Sequence, residues 1–273
     1  MSVLDQSAEA QMQKALAAEA PLDRRLNGAL RILSKWRSQK LANTVARQEG
    51  RIIRSGAFAG MAYGVATEGA LAPRLLGAYE ASLAPVIEEI IRSHYPRVID
   101  VGCAEGYYAV GLALRMPGTQ VFAHDDSEIA RKHCTDLAEQ NGVSDRVTVG
   151  GLLGHDGFDD CATIRTVVVC DIEGAEGELL DPAQAPGLEH ADILVECHDM
   201  VEPGITQTIY ERFRPTHYVR SYGRALRPEV LPDWAENLSD LDRLLLLWEW
   251  RSGPTDWLWM TARHGPPTEE AAT

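Results

Sequence analysis

The sequence predicts an α/β fold in which a mostly parallel sheet carries helices on both faces. Three observations lead there. From residue 76 onward, short apolar runs alternate with helical patterns, the rhythm of successive strand–helix–strand units. The run TVVVC at 166–170 is unbrokenly apolar and β-branched, as a strand buried on both faces reads. The segment VIDVGCAEGYY, residues 98–108, sets small residues between a strand and a helix, where the backbone can turn tightly and approach a ligand.

The elements follow in order. Residues 3–20 are rich in Ala, Glu and Gln and read as a helix. Pro21 suits the start of a second helix, which runs to about Glu49 with Leu26, Leu30, Leu33 and Trp36 at helical spacing; Gly50 stops it. A glycine-dotted stretch of little period follows, so residues 1–75 form a helical and irregular N-terminal extension. Residues 76–264 are the main domain. Within it, helices are expected at 80–92, 106–116, 127–141, 176–180, 205–213 and 241–250, and strands at 97–101, 120–124, 146–149, 166–170, 193–197, 217–222 and 257–261. Ser127 reads as an N-cap and Asn141-Gly142 as a C-terminal stop. Residues 265–273, GPPTEEAAT, read as a flexible tail.

Composition narrows the function. A chain of 273 residues is long for one domain and short for two large ones, so a main domain with an appendage is the natural division. Lys plus Arg number 26 against 40 Asp plus Glu, a net charge of −14, which repels phosphate backbones and argues against a nucleic-acid partner. The richest basic stretch, residues 24–54, reads as a solvated helical face. The 5 cysteines are odd in number and form no CxxC pair, which points to reduced thiols and a cytoplasmic location. No basic-then-apolar leader is visible, and no apolar run approaches the ~20 residues that span a bilayer, so no membrane partner is expected. A homo-oligomer, if formed, would form through the N-terminal helices.

The strongest motif is the turn after the first strand. Gly102, Cys103, Ala104 and Gly106 lead into a helix at Tyr107, and helix N-termini present orphan N–H groups to anions such as a methionine carboxylate. Asp100, at the end of the strand, is placed to hold an ammonium group. The dinucleotide fingerprint is G-x-G-x-x-G; here the spacing is G-x-A-x-G, with Tyr107 where the third glycine would stand. The shorter spacing after an acid is the version that binds S-adenosylmethionine. Strand 120–124 ends at Asp125, about 20 residues on, where a carboxylate can accept both ribose hydroxyls. Asp126 is the neighbouring alternative, and both acids alternatively cap the next helix.

Polar groups gather at other strand ends too: Asp171 and Glu173 after strand four, and Glu196, His198 and Asp199 at strand five. Methyl transfer to a hydroxyl needs a base beside the acceptor. His198 is the best-placed candidate, with Glu196 or Asp171 to orient it. The competing reading is that the histidine only ties a loop down. No metal is expected; a divalent ion, if present, would take Asp171, Glu196 and His198, with Glu173 and Asp199 completing the set. Cys103, Cys170 and Cys197 read as small packing residues. Of the 6 tryptophans, all but Trp36 lie within residues 234–259. They read as core, with Trp234 in a Pro-rich segment that could cover an acceptor pocket.

DVGCAEG followed by CDIEGAEGELL resembles the FkbM-type family of class I methyltransferases. The Asp-x-Glu-Gly-x-Glu signature of that family is matched by Asp171, Glu173, Gly174 and Glu176. Its aromatic–Glu pair ahead of the first helix is matched by Tyr79 and Glu80, and its acid-then-His ending of strand five by Glu196 and His198. The resemblance covers roughly residues 50–262 and departs from the pattern at Cys103-Ala104-Glu105. It implies a seven-stranded, Rossmann-like sheet, parallel except for its last strand. It also implies S-adenosylmethionine binding, with Tyr79 and Glu80 among the cofactor contacts, and O-methylation of a small-molecule acceptor such as a sugar or secondary metabolite. Two rivals keep the cofactor: an enzyme that cyclises the methionine side chain, and a non-catalytic module that binds a partner.

Overall fold

A computed structural model describes residues 2–64, 70–251 and 253–266. Most of the expected tail, from 267 on, lies outside the described residues. Seven strands form one sheet: β1 (Arg97–Val101), β2 (Gln120–His124), β3 (Val147–Gly150), β4 (Thr166–Cys170), β5 (Asp192–Cys197), β6 (His217–Tyr222) and β7 (Asp256–Ala262). Their order is β3-β2-β1-β4-β5-β7-β6. β1 pairs in parallel with β2 and β4, with Ile99 opposite Phe122 on one side and Val168 on the other. β7 is the one antiparallel strand, inserted between β5 and β6. This is the sheet that the class I methyltransferase resemblance implies.

The order has a functional consequence. From β1 the chain winds outward through β2 and β3, then returns to lay β4 and β5 on the other side. The β1/β4 boundary is the point where strand order reverses, and ligands of such sheets bind there, beyond the carboxyl ends.

The crossover helices are α4 (Ala84–Ser93), α5 (Tyr107–Arg115), α6 (Glu128–Gln140), the single turn α7 (Glu176–Leu179) and α8 (Ile205–Phe213). The Ser127 hydroxyl accepts from the Ala130 amide and caps α6 as its sequence predicts. Two apolar clusters cover the sheet. On one face, Val168, Cys170 and Val195 pack with Phe158, Leu188 and Phe213. On the other, Val98, Val167 and Leu194 pack with α4, α5 and much of the N-terminal segment, from Leu41 to Leu76. No described helix is long and apolar enough to cross a membrane.

The N-terminal residues form α1 (Val3–Ala17), α2 (Leu22–Gln48) and α3 (Leu71–Leu76). The buried face of α2 is Ala29, Ser38, Leu41, Ala42 and Val45, while Leu26, Leu30 and Leu33 face solvent. The helical period is therefore right, but the face turned to the protein is the smaller-residue one, which lets α2 approach the domain closely. Arg37 grips Asp242 with two bonds of 2.7 and 2.6 Å, tying α2 to α9 (Asp240–Leu246).

That last helix is shorter than the expected 241–250. Leu247 caps it, and Trp250 takes a left-handed φ of 67°. The indole N–H of Trp250 donates to Ser38 Oγ at 3.2 Å, and its carbonyl accepts from Arg31 at 2.9 Å. Docking on α2 thus decides the conformation of this segment against its local helical preference.

Candidate active site

A cleft of about 820 Å³ opens beyond the carboxyl ends of β1 to β4. Asp100, Gly102, Cys103, Ala104 and Tyr107 form its floor, Asp125 and Asp126 one side, and Asp171 and Glu173 the other. Tyr79 closes it from the N-terminal segment. Glu80 and Glu196 are turned into a separate ion-pair network, and His198 is set one layer behind the Asp171–Glu173 wall.

The floor shows why small residues stand in the turn. Gly102 has φ 79°, and a Cβ there would lie 1.7 Å from the Asp171 carbonyl. Only glycine lets the loops after β1 and β4 touch at the switch point. Ala104 is also left-handed, with φ 45°, and its amide donates to Asp125 Oδ2 at 2.9 Å. The other carboxylate oxygen, Oδ1, accepts from the Ser127 amide at 2.8 Å. Asp125 therefore clamps the turn and starts the α6 cap together, while each oxygen keeps lone-pair capacity for a hydroxyl donor.

Asp100 is 2 % exposed, and its Oδ2 is buried without a hydrogen-bond partner. Burial, with the neighbouring Asp125 charge adding to it, pushes its pKa up to about 7. A buried acceptor with nothing to accept from is expensive. In a cleft floor such an oxygen is available to a cationic N–H group.

Tyr107 occupies the third-glycine position because rings from the N-terminal segment pack there. Its centroid lies 5.2 Å from Phe58, 5.7 Å from Tyr63 and 5.3 Å from Tyr79, all edge-on, a favourable aromatic geometry. Beneath them, a Cβ at Gly111 would meet the Phe58 ring at 2.6 Å. Sequence reading left this stretch as irregular because its aromatic contacts are long-range. The departure at Glu105 is explained in the same place: its carboxylate accepts from Arg74 and from the Tyr63 hydroxyl, all three buried. The turn after β1 is thereby bonded to the N-terminal segment.

Behind the Asp171–Glu173 wall, His198 Nδ1 lies 2.7 Å from Glu176 Oε1. The same oxygen accepts from the Ile172 and Gly174 amides at 3.2 Å each. Burial works to raise the Glu176 carboxyl, but the His198 bond and the backbone amides prevail and hold it below the ordinary carboxylate value. His198 Nε2 faces Glu173 at 3.4 Å, Asp171 at 3.6 Å and Glu196 at 3.7 Å. Burial opposes the imidazolium, yet the Glu176 bond and the surrounding carboxylates outweigh it and raise the His198 pKa. Glu176 is the orienting acid that sequence reading assigned to Glu196 or Asp171. The signal was available in the last Glu of the Asp-x-Glu-Gly-x-Glu signature, but only the turn at Gly174 (φ 113°) folds it back.

Glu196 and Glu80 meet at Arg251. One guanidinium binds Glu196, Glu80 at 2.7 Å and Glu249 at 2.8 Å. Burial first, then Glu196, pushes Glu80 up to about 7, although Arg251 and a bond from Tyr108 oppose this. Donor atoms of Asp171, Glu196 and His198 do come within 4.8 Å of one another, but Glu196 already carries Arg251 on its other oxygen. Asp199 takes no part in that cluster. It accepts from the Gly204 amide at 2.9 Å and from Thr206, as a cap for α8. Trp234 does not reach the cleft either, because its N–H donates to Glu49 at 2.7 Å and its ring packs against α2 and the core. The cysteines are buried free thiols, as packing residues should be.

No protein-family model matches the chain, and no curated protein matches it. Solved structures resemble it distantly. An O-methyltransferase from Bacillus cereus in complex with SAH is 11% identical with a TM-score of 0.46, over 96% of this chain and 100% of that one. The O-methyltransferase TomG from Streptomyces achromogenes, involved in tomaymycin synthesis and in complex with SAM, is 10% identical with a TM-score of 0.44, over 96% and 99%. A human methyltransferase 10 domain containing protein is 12% identical with a TM-score of 0.42, over 67% and 80%. Likenesses this distant assign no substrate or reaction to this chain, and its fold is read from its own strand order and register.

Proposed function

We propose that this chain is an S-adenosylmethionine-dependent methyltransferase acting on a small molecule, with an oxygen of a sugar or secondary metabolite as acceptor. One observation carries the reading: the orphaned Oδ2 of Asp100 in the floor of an acidic cleft, at the switch point and beside the Gly102 turn. Acidic walls suit a ligand that carries both a sulfonium and an ammonium charge. The Asp-x-Glu-Gly-x-Glu and Glu196–His198 matches support an FkbM-type member of the class.

When bound, adenosylmethionine supplies a methyl group on a positively charged sulfur. Asp100 receives the ammonium, and Asp125 accepts the ribose hydroxyls while still holding the Ala104 amide. Glu176 keeps His198 in the tautomer with hydrogen on Nδ1, so the free Nε2, reached between Asp171 and Glu173, takes the acceptor's proton. Arg251 keeps Glu196 from drifting toward the imidazole.

Calorimetry with adenosylmethionine and, as control, a nicotinamide dinucleotide tests the binding half of the reading. Mass spectrometry of the product tests the other half: adenosylhomocysteine is expected, whereas methylthioadenosine would mean cyclisation and binding without turnover would mean a non-catalytic module. Turnover is expected to survive chelation. Loss on chelation with recovery on adding magnesium or manganese would instead assign a metal to Asp171, Glu196 and His198.

A further inference from the structure

The described walls of the cleft carry carboxylates on several sides and a single arginine, Arg74, with no lysine. That arginine belongs to α3, in the N-terminal segment, and is 4 % exposed. Its guanidinium carbon lies over the Tyr79 ring, 4.2 Å from the centroid, and 5.8 Å from that of Tyr107. It is bonded to Glu105, inside the turn that Asp100 precedes. Its Nε is buried without a partner.

We infer that Arg74 is the anchor for the carboxylate at the amino-acid end of the cofactor, with Glu105 and Tyr79 as its positioning residues. The inference rests on the adenosylmethionine reading and extends it to residues that no motif marks. Adenosylmethionine carries one anionic group among two cationic ones. In an acidic cleft that group needs a cation or backbone N–H groups to receive it, and among the described lining residues the one arginine or lysine is Arg74. Carboxylate and ammonium share a carbon atom, so their receivers must be neighbours. Asp100 stands just before the short turn after β1, and Arg74 is bonded to Glu105 near the other end of that turn.

A guanidinium has five donors in a fixed fork, so binding Glu105 leaves others for a second carboxylate. The contact with the Tyr79 ring helps hold the guanidinium in place. The Tyr63 hydroxyl and Arg74 share Glu105 Oε1, which holds the acid against the N-terminal segment.

The probe is the decarboxylated form of adenosylmethionine, compared with adenosylmethionine itself by calorimetry. The decarboxylated form has one more net positive charge, so the general acidic field favours it, and any preference for adenosylmethionine must come from a local cation. Wild type is expected to prefer adenosylmethionine by roughly ten- to a hundredfold, the range for a charge-assisted contact. Arg74→Gln is expected to bind the two with nearly equal affinity. Equal affinities in wild type, or a fall in Arg74→Gln that is the same for both ligands, would overturn the assignment, the latter by showing a purely structural role. Should Arg74→Gln fail to fold, Glu105→Gln carries the test. Losing the carboxylate that positions Arg74 is expected to lower the preference, and an unchanged or larger preference overturns the assignment. Failure of the underlying cofactor reading looks different, because wild type would then bind neither compound.

Discussion

His198 donates from Nδ1 to Glu176 Oε1 across 2.7 Å. Glu176 is held in its ionised, acceptor-only form, so the proton on this bond belongs to the imidazole, and Nε2 is left as the basic nitrogen. The pair joins the loop after β4 to the end of β5.

His198→Ala is expected to lower turnover by about 10²–10⁴-fold, the usual contribution of a general base. Cofactor affinity should stay near wild type, since the adenosine is proposed to lie over β1 and β2. Equal turnover per folded molecule would assign the histidine a structural role.

The pH profile follows from the raised His198 pKa. A base must be neutral to accept, so turnover rises with pH through an inflection above the ordinary 6.5. Glu176→Gln removes the largest of the raising contacts and should shift that inflection to lower pH. Stability moves with the opposite sign. The charged imidazole stabilises the fold fully below about 6.5, and that contribution fades as pH rises through the raised value. Glu176→Gln should therefore lower the melting temperature more in acid than in alkali.

Asp100 titrates near 7 in the free protein. A cationic ligand binds its ionised form, so affinity for adenosylmethionine should rise as pH increases through about 7. Calorimetric heats at that pH should vary with the ionisation enthalpy of the buffer, as a released proton is taken up. Asp100→Asn should flatten both dependences.

Asp125→Ala removes the clamp on the Ala104 amide together with the proposed ribose contact. Lost charge-assisted bonds are worth roughly 1.5–3 kcal/mol, so calorimetry should read a loss of affinity of that size. Asp126→Ala should lose far less, because that side chain is exposed and no bond to the turn depends on it. Unchanged affinity in both variants would remove the ribose assignment.

Arg251→Met strips the guanidinium from Glu80, Glu196 and Glu249, whose side chains are 2%, 3% and 12% exposed. Leaving buried carboxylates uncompensated costs on the order of 3–5 kcal/mol. Urea denaturation should show a loss of that order, and Arg251→Lys a smaller one. A midpoint close to that of wild type would mean the three acids are neutral or hydrated.

Much of the core sheet was legible in the sequence because its signals are local. The period of an apolar run, a cap such as Ser127 and a turn such as Gly102–Gly106 are set by residues within a few positions of each other. The Asp100 and Asp125 positions follow from the same local grammar, since each ends a strand beside the turn. Glu176, Glu105, Arg74 and Arg251 belong to a different class. Glu176 reaches His198 across 22 residues of sequence, Glu105 reaches Arg74 across 31, and Arg251 reaches Glu80 across 171. No periodicity records such pairings, and each depends on two loops being brought to one edge of the sheet.

The face of α2 was undecidable for a related reason. Leu26, Leu30 and Leu33 offer the larger apolar stripe, and a hydrophobic count alone would bury it. The protein buries Ala29, Leu41, Ala42 and Val45 instead, because α3 and α9 approach along that side and Arg37 closes on Asp242. The sequence by itself determined the succession of strands and helices and the glycine turn after β1. Only the tertiary structure decided which acid orients His198, which faces are covered and which arginine enters the cleft, because those outcomes depend on desolvation and charge pairing between distant segments.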